Sequence, residues 1–271
     1  MADNLDPPII EGDRKVIVND RVNAEYMHLV LDAPDGAALA RPGQFFHLLC
    51  PASGGDSPFF RRPMSIYRID RDNGRLEFLY KIVGKGTRTL ARLEPGDTLG
   101  ILGPLGKGFS LTGRRHIVQI ARGVGLATLA PVAEAAGAQG IRTTAILSAR
   151  SPKLLMSQDY LRGVGADVIA VTDAEGTSAP EHVERIARRL IDDEGGDLLL
   201  TCGSNRLLDL CRRLGREHAV AGQVALEQNM GCGMGMCFAC VREFRGTDGK
   251  ATYRRVCWDG PVFDIQEVMS W

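Results

Sequence analysis

Three cysteines fall within ten residues near the end of the chain, in the segment GCGMGMCFAC at 231–240. Cys232 is followed after four intervening residues by Cys237, and Cys237 after two by Cys240. A fourth cysteine, Cys257, comes sixteen intervening residues later in RRVCWDG. This is the plant-type spacing for the four thiolates that hold a [2Fe-2S] cluster.

Glycine occupies every second position at the start of the same segment, at Gly231, Gly233 and Gly235. Glycine adopts positive φ readily, so the backbone can wrap closely around inorganic sulfides and turn its amides toward the sulfur atoms. A structural zinc site also takes four thiolates, but it usually draws them from two tight pairs, and here only Cys237 and Cys240 form one. We therefore predict a [2Fe-2S] cluster, with zinc or ordinary buried or reactive thiols as the alternatives.

Composition restricts the class of protein and its compartment. A chain of 271 residues, 44% of them hydrophobic, can bury a sizeable core in two domains and a small third. Because 33 Lys and Arg balance 33 Asp and Glu, no excess charge indicates nucleic acid or an anionic membrane as a partner. No apolar run reaches about 18 residues, and MADNLDPPII lacks the features of a signal peptide. We expect a cytoplasmic protein whose seven cysteines serve as metal ligands and buried thiols.

The sequence pattern changes near residue 113. Before it, short β-rich runs such as RKVIVND and GRLEFLYKIV are separated by Gly and Pro, which predicts an antiparallel β-barrel. After it, strands such as HIVQIA alternate with helices such as EHVERIARRLIDDE, which predicts a doubly wound parallel sheet. Both patterns stop near residue 223. We predict a barrel domain over 1–112, an α/β domain over 113–222 and a small cysteine-rich domain over 223–271.

A glycine turn, ARGVGLATLAP at 121–131, follows the first strand of the predicted parallel sheet and precedes a helix. Backbone amides at such a helix start bind a pyrophosphate. Gly123 and Gly125 give part of a dinucleotide fingerprint, although tight strand-to-helix turns also use glycine for geometry alone. The acidic residue expected about twenty positions on is replaced by a stretch containing Ser148 and Arg150. The choice between NADH and NADPH stays open on these residues.

The remaining cysteines differ in their contexts. Cys50 and Cys211 lie in apolar strand and helix patterns, where a thiol behaves as a small hydrophobic group. Cys202 ends the predicted strand DLLLTC at the carboxyl edge of the parallel sheet, where ligands of doubly wound folds bind. A structural thiol and a neighbour of the nicotinamide are both open interpretations for Cys202.

A nicotinamide delivers two electrons as hydride and a cluster accepts one, so a flavin is expected to connect them. The barrel offers RRPMSIYRI at 61–69 and GKGTRTL at 84–90. Arg62 can pair with a pyrophosphate, Ser65 can hydrogen-bond the flavin near N5, and the turn at 84–87 can offer amides to phosphate. The alternative is that these arginines lie on a solvated surface, as arginines beside proline commonly do.

The order of these motifs along the chain resembles that in the electron-transfer subunits of type B dihydroorotate dehydrogenase, which belong to the ferredoxin reductase superfamily. The motifs are, in order, RPMS, GKGT, LGPLGKGF, the glycine turn, CGS and CGMGMCFAC. The resemblance covers about residues 12–265. It implies an FAD-binding barrel, an NAD(P)-binding α/β domain and a [2Fe-2S] domain. It further implies NAD(P)H oxidation, or the reverse flow to NAD+, with single electrons passed to an FMN-containing catalytic subunit of pyrimidine biosynthesis. A reductase serving an oxygenase, a ferredoxin or another redox enzyme is the alternative, and a zinc-bearing scaffold is a third.

The resemblance also implies roles for individual residues. It places FAD at Arg62, Pro63, Met64, Ser65, Ile66, Gly84, Lys85, Gly86 and Thr87, the nicotinamide nucleotide at Gly123, Val124, Gly125, Cys202 and Gly203, and the cluster at Cys232, Cys237, Cys240 and Cys257. Ser65, Cys202 and Glu227 are the expected catalytic residues, with Glu227 lining the nicotinamide pocket. Met64 stands where many relatives in the superfamily carry an aromatic residue, and Arg122 interrupts the usual triple-glycine opening.

No histidine of the chain shares a motif with another residue suited to catalysis. We therefore expect no second small-molecule reaction on this chain, so that the predicted cluster faces another protein. Met234, Met236 and Phe238 are the expected members of an exposed apolar patch beside it.

Overall fold

A computed structural model describes residues 8–246 and 248–269. The first seven strands form one curled antiparallel sheet in the order β4-β3-β7-β1-β2-β6-β5. These strands are β1 Ile10–Arg21, β2 Tyr26–Asp32, β3 Phe45–Leu49, β4 Arg62–Ser65, β5 Arg68–Asp70, β6 Arg75–Lys81 and β7 Thr98–Leu105. Two short helices lie between them, α1 Pro34–Leu39 and α2 Lys85–Leu90.

Alternating side chains of this sheet fill its interior. Leu29, Leu31, Phe46 and Phe78 are fully buried, and the rings of Phe46 and Phe78 meet edge to face with centroids 6.1 Å apart. Burial of one face of each strand fixes the register, because a slip by one residue would turn the apolar set toward solvent. The sheet therefore provides a rigid support for the segments at its edge, including β4.

A second sheet contains six strands in the order β10-β9-β8-β11-β12-β15, parallel except for β15. Its elements are β8 His116–Arg122, α3 Gly125–Gly137, β9 Arg142–Ala149, a 3₁₀ turn Pro152–Leu154, α4 Gln158–Gly163, β10 Asp167–Thr172, α5 Pro180–Asp192, β11 Leu198–Cys202, α6 Asn205–Glu217 and β12 Ala221–Ala225. The chain order reverses beside β8, whose neighbours are β9 and β11. Ligands of such sheets bind at the carboxyl ends of the strands that flank this point.

Helices cover both faces of the parallel sheet. Val118 and Ile120 pack in one apolar cluster with α5 and α6, whereas Ile117 packs in another with α3 and α4. The inward residues of α5, such as Val183 and Ala187, recur at helical spacing. The predicted combination of an antiparallel barrel and a doubly wound parallel sheet is confirmed.

The cysteine-rich segment is built on a hairpin and a returning strand. β13 Val241–Arg245 pairs with β14 Ala251–Arg255, the short helix α7 Val256–Asp259 follows, and β15 Val262–Asp264 joins the edge of the parallel sheet. Phe244 of the hairpin is fully buried against the ring of Phe263, with centroids 4.4 Å apart. The segment is therefore packed on the parallel sheet. The three domain boundaries drawn from the sequence stay predictions.

Within the described residues, no helix has the length and apolar character needed to cross a membrane.

Candidate functional site

The four cysteines predicted as cluster ligands form two pairs. The backbone N–H of Cys232 donates to Sγ of Cys237, and that of Cys237 donates back to Sγ of Cys232, both at 3.4 Å. The N–H of Cys257 donates to Sγ of Cys240, also at 3.4 Å. Since each iron of an all-cysteine [2Fe-2S] cluster takes two thiolates, the two pairs match its two irons.

Further backbone amides point at the same sulfur atoms. The N–H of Met234 donates to Sγ of Cys232 at 3.4 Å, and that of Gly235 donates to Sγ of Cys257 at 3.2 Å. Burial opposes ionisation of Cys232, but the amides of Cys237 and Met234 outweigh it and lower the pKa of this thiol to about 7. Burial raises the pKa of Cys257 to about 12, so this thiol is neutral on its own. Coordination to iron would remove its proton, because a coordinating thiol is deprotonated.

The backbone of this loop and the arrangement of its ligands both favour a cluster over zinc. Gly233 and Gly235 have φ of +73° and +77°, which other residues adopt only with strain. Two separate thiol pairs fit two irons, and a lone zinc would need all four thiolates around one point.

The guanidinium of Arg62, which is predicted to pair with the FAD pyrophosphate, lies beside the start of a helix. Its strand β4 is at the edge of the antiparallel sheet, where it pairs with β3. The guanidinium lies against the first turn of α2, since a Cβ added to Gly86 would come within 2.5 Å of Nε of Arg62. A side chain at that helix position would displace the arginine. The positive guanidinium and the helix start thus lie together, as a pyrophosphate site needs.

The turn expected at 84–87 is the first turn of α2. The hydroxyl of Thr87 accepts the N–H groups of Val83, at 2.9 Å, and Gly84, at 3.1 Å. This cap orients the start of the helix toward Arg62. Lys85 is exposed, whereas Gly86 is buried beneath the arginine.

The other residues predicted to hold FAD follow Arg62 along β4. Pro63, Met64 and Ser65 are half-buried and lie opposite His47, Phe46 and Phe45 of β3 in the register. Ile66 is fully buried in the core of the sheet. Its side chain therefore packs inward, and only its backbone could contact the FAD that was predicted to bind here.

The glycine turns after β8 and β11 meet at the carboxyl edge of the parallel sheet. A Cβ on Gly125 would lie 2.4 Å from the carbonyl oxygen of Cys202, and one on Gly203 would lie 2.5 Å from that of Arg122. Gly123 and Gly203 also have φ of +57° and +95°. Part of the apparent dinucleotide fingerprint is therefore required by the contact between the two turns.

Arg122, which replaces a glycine of the usual opening, is held by two neighbouring strands. Its guanidinium donates to the hydroxyl of Ser148 at 2.8 Å and to both carboxylate oxygens of Asp173 at 3.2 and 2.7 Å. This arginine is the main cause that lowers the pKa of Asp173 to about 2. Sequence reasoning missed Asp173, although its position directly after a parallel strand is a signal for site residues.

Arg150 is also already paired, with a residue of the turn between β1 and β2 of the antiparallel sheet. Its guanidinium donates to Glu25, whose second oxygen lies 2.7 Å from the amine of Lys81. These three side chains line a cleft between the two sheets together with Tyr26 and Val124. No sequence motif indicated Glu25 or Lys81, because both belong to the barrel.

Cys202 and Glu227 lie close together but differ in character. Cys202 is buried, its Sγ is 3.7 Å from the hydroxyl of Thr128, and burial raises its pKa to about 12. It is therefore a neutral thiol. Glu227 is exposed at a cleft that Gly203 and Leu226 also line, and the protein around its carboxylate raises its pKa. The charge of Glu227 contributes to the raised pKa of Cys202.

Apolar side chains project from the cysteine loop and from α7. Met234, Met236 and Phe238 are 39%, 78% and 64% exposed, and Trp258 is 42% exposed. We call these four side chains the apolar patch. Exposed apolar groups gathered at one place commonly mark an interaction surface.

Comparison with known proteins separates two parts of the chain. The model for an oxidoreductase FAD-binding domain matches residues 14–109. The model for the iron-sulfur cluster binding domain of dihydroorotate dehydrogenase B matches residues 227–269. The second match contains all four paired cysteines.

Curated relatives match over almost the whole chain. The electron transfer subunit of dihydroorotate dehydrogenase B (NAD(+)) from Desulforamulus reducens is 32% identical over 258 residues, covering 95% of this chain and 97% of the relative. The subunit of the same name from Bacillus caldolyticus is 32% identical over 266 residues, covering 96% of this chain and 100% of the relative.

Solved structures share the fold. An NADH-dependent reduced ferredoxin-NADP oxidoreductase aligns with a TM-score of 0.80 and 26% identity, covering 95% of this chain and 90% of that one. The ferredoxin reductase of carbazole 1,9a-dioxygenase aligns with a TM-score of 0.60 and 18% identity, covering 79% of this chain and 67% of that one. The second likeness shows the fold alone.

Proposed function

Because this chain belongs to the family of electron-transfer subunits of dihydroorotate dehydrogenase B, we propose that it carries electrons between a nicotinamide nucleotide and a dihydroorotate dehydrogenase catalytic subunit. FAD in the barrel converts two-electron transfer to one-electron transfer, and the [2Fe-2S] cluster carries single electrons. The same path serves NAD(P)H oxidation or the reverse flow to NAD+. The chain is an oxidoreductase in either direction.

The observation that carries this proposal is the geometry of the cysteine loop. Two thiol pairs receive backbone N–H donors at 3.2 to 3.4 Å. Donors to sulfur stabilise the thiolates and tune the potential of a cluster. A buried structural thiol group has no need of this arrangement. We assign the cluster to Cys232, Cys237, Cys240 and Cys257.

In the barrel, Arg62 and the start of α2 hold the FAD pyrophosphate, since the guanidinium lies against the first turn of that helix. Ser65 presents its hydroxyl to the flavin from the edge strand β4. The proposed FAD residues are Arg62, Pro63, Met64, Ser65, Ile66, Gly84, Lys85, Gly86 and Thr87.

At the parallel sheet, the two glycine turns receive the nicotinamide nucleotide. Glu227 lines the nicotinamide pocket. Cys202, the residue directly before Gly203, contributes to this turn as a buried neutral thiol. NADH is the proposed nucleotide, with NADPH as a possible substitute. The proposed residues are Gly123, Val124, Gly125, Cys202 and Gly203.

The apolar patch is the proposed contact with the catalytic subunit. It lies on the cysteine loop and α7, so a partner seated there would approach the cluster. We also place the protein in the cytoplasm. All seven cysteines are free thiols, and four of them must stay reduced to bind iron.

The test is to express this chain with and without the dihydroorotate dehydrogenase catalytic subunit. The chain alone should contain about two irons, two acid-labile sulfides and one FAD, and should reduce dyes with NADH. Oxidation of dihydroorotate should require both chains. Turnover of dihydroorotate by this chain alone, or flavin-replete protein that cannot reduce dyes, would refute the proposal.

A further inference from the structure

His47 is a buried imidazole that no other part of the described chain satisfies. It lies in the middle of β3 with no exposed surface, and neither ring nitrogen has a hydrogen-bond partner among the described residues. A buried polar group without a partner lowers stability, and such groups in native proteins call for an explanation.

One edge of the ring lies against the cysteine loop. A Cβ added to Gly233 would lie 2.8 Å from Cε1 and 2.9 Å from Nε2 of His47. Gly233 directly follows the proposed ligand Cys232. Glycine at this position therefore lets the loop approach the imidazole, and the nitrogen Nε2 is on the edge that faces it.

The strand that carries His47 also pairs with the strand of the proposed flavin site. His47 lies opposite Pro63 in the antiparallel register of β3 and β4. β4 carries Arg62 and Ser65, which we assign to FAD. His47 is thus located where the flavin-binding strand and the cysteine loop come together.

The surroundings of the ring keep the imidazole neutral and give it no hydrogen-bond partner among the described residues. Burial, assisted by the positive charge of Arg61, lowers the pKa of His47 to about 4. A neutral imidazole has one N–H donor and one acceptor nitrogen. The side chains packed beside the ring and at Gly233 are apolar: the ring of Phe45 has its centroid 5.7 Å away, and Leu105 lies against the same point of the loop. The charged neighbour Arg61 makes no hydrogen bond to either ring nitrogen. No cysteine sulfur accepts a hydrogen bond from either ring nitrogen among the described residues, so an acceptor at this edge would have to come with the cluster that the loop holds.

We propose that His47 is a positioning residue of the cluster, whose Nε2–H donates a hydrogen bond to the sulfur atoms held by the Cys232 side of the loop. This bond raises the midpoint potential of the cluster. The potential rises because a donor to sulfur favours the more negative, reduced form. The inference rests on the proposed function, since it requires the cluster.

Three variants of the FAD- and iron-loaded protein test this role. His47→Leu removes both nitrogens, and His47→Gln keeps an N–H donor. His116→Leu is the matched control, because His116 is equally inaccessible but has its own partners, the carbonyl of Glu194 at 3.0 Å and the hydroxyl of Thr144 at 2.9 Å. The readouts are the midpoint potential of the cluster, from a redox titration followed by electron paramagnetic resonance, and the thermal unfolding temperature.

The two leucine variants should each change a different one of the two measured quantities. His47→Leu should shift the cluster potential to a more negative value with little loss of thermal stability, and His47→Gln should return it toward wild type. His116→Leu should lower the unfolding temperature and leave the potential unchanged. An unchanged potential in His47→Leu overturns the inference.

Loss of the cluster is also decisive. If His47→Leu fails to retain iron, retention by His47→Gln supports the hydrogen bond, and loss in both variants overturns it. Wild-type protein without iron would refute the proposed function itself. A wild-type cluster whose potential does not respond to His47 would refute this inference alone.

Discussion

The cysteine loop and the paired glycine turns of the parallel sheet both depend on glycine, but for different physical reasons. In the cysteine loop, Gly233 and Gly235 adopt positive φ and allow amides to reach sulfur. In the glycine turns, Gly125 and Gly203 are needed because the backbones after β8 and β11 pass too close for a Cβ. The first pattern identifies a ligand site directly, whereas the second also serves packing.

This difference determines how each region responds to substitution. The cysteine loop holds its ligand through side chains that have no structural substitute, so a single change there should remove the cofactor. The glycine turns support the fold and are also the proposed site of the nucleotide, so a change there should affect stability and nucleotide binding at once. The four predictions below test this contrast.

The largest effect is expected from Cys237→Ser. This thiol is exposed, so its replacement costs little packing, but one iron loses a thiolate. The variant should contain no stable cluster and should keep its flavin absorbance, as measured by iron and sulfide assays and the visible spectrum. Cys211→Ala, a buried cysteine of α6 outside the loop, is the control and should keep the cluster. Stoichiometric zinc without iron in the wild type would contradict the assignment.

Gly125→Ala should give the next largest effect. The new Cβ would lie 2.4 Å from a backbone oxygen, which cannot move as a flexible side chain can. We expect a loss of about 1 to 3 kcal/mol in unfolding free energy together with weaker NADH binding, while the cluster spectrum is preserved. Gly163→Ala in α4, where no atom lies within 4 Å of the new Cβ, should be neutral or slightly stabilising. Denaturant unfolding and NADH titration measure both terms, and a Gly125→Ala protein as stable as wild type would remove the packing explanation.

Arg62→Ala tests whether the barrel behaves like the cysteine loop or like the turns. Loss of a charge-assisted contact to the pyrophosphate should cost about 1.5 to 3 kcal/mol, which raises the dissociation constant of FAD about ten- to a hundred-fold. Fluorescence titration of the apoprotein with FAD measures it. Arg88→Ala removes an exposed arginine of α2, the helix that Arg62 contacts. Arg88 pairs with Asp56, and its loss should leave FAD affinity unchanged. Equal FAD affinity in both variants would move the pyrophosphate site elsewhere.

The cysteine site is the part of the candidate site that the sequence specifies most completely, because its determinants are local. Three ligands and the glycines between them fall within ten residues, so their spacing describes the site without knowledge of the fold. The alternation of strands and helices likewise identified the two sheets. The flavin site was predicted less completely, because the contact of Arg62 with Gly86 joins two segments that only the fold brings together.

The nucleotide site could be predicted only in outline. Arg122 pairs with Asp173, which follows the second strand away, and Arg150 pairs with Glu25 in the turn between β1 and β2. Pairs of this kind arise from tertiary packing and leave no spacing or periodicity in the sequence. The sequence likewise gives no sign of a role for His47, since its position in a strand pattern is that of an ordinary core residue.

The smallest effect is expected from Glu227→Gln, and its sign distinguishes a functional residue from a structural one. Because the protein packed around its carboxylate raises the folded-state pKa of Glu227 above its unfolded value, the carboxylate weakens the fold once the pH rises through that pKa. The glutamine variant should therefore be slightly more stable than wild type at neutral pH, by less than about 1 kcal/mol because the side chain is exposed.

If Glu227 lines the nicotinamide pocket, its negative charge favours the cationic ring of NAD+ over the neutral ring of NADH. The KM for NAD+ should fall as the pH rises through the pKa of Glu227 in wild type, and this dependence should disappear in Glu227→Gln. Glu243→Gln, an exposed glutamate on β13, controls for the loss of one negative charge and should keep the wild-type profile. A glutamine variant that is less stable at neutral pH and has an unchanged NAD+ profile would assign Glu227 to the fold. The nicotinamide pocket would then have to be formed by the glycine turns alone.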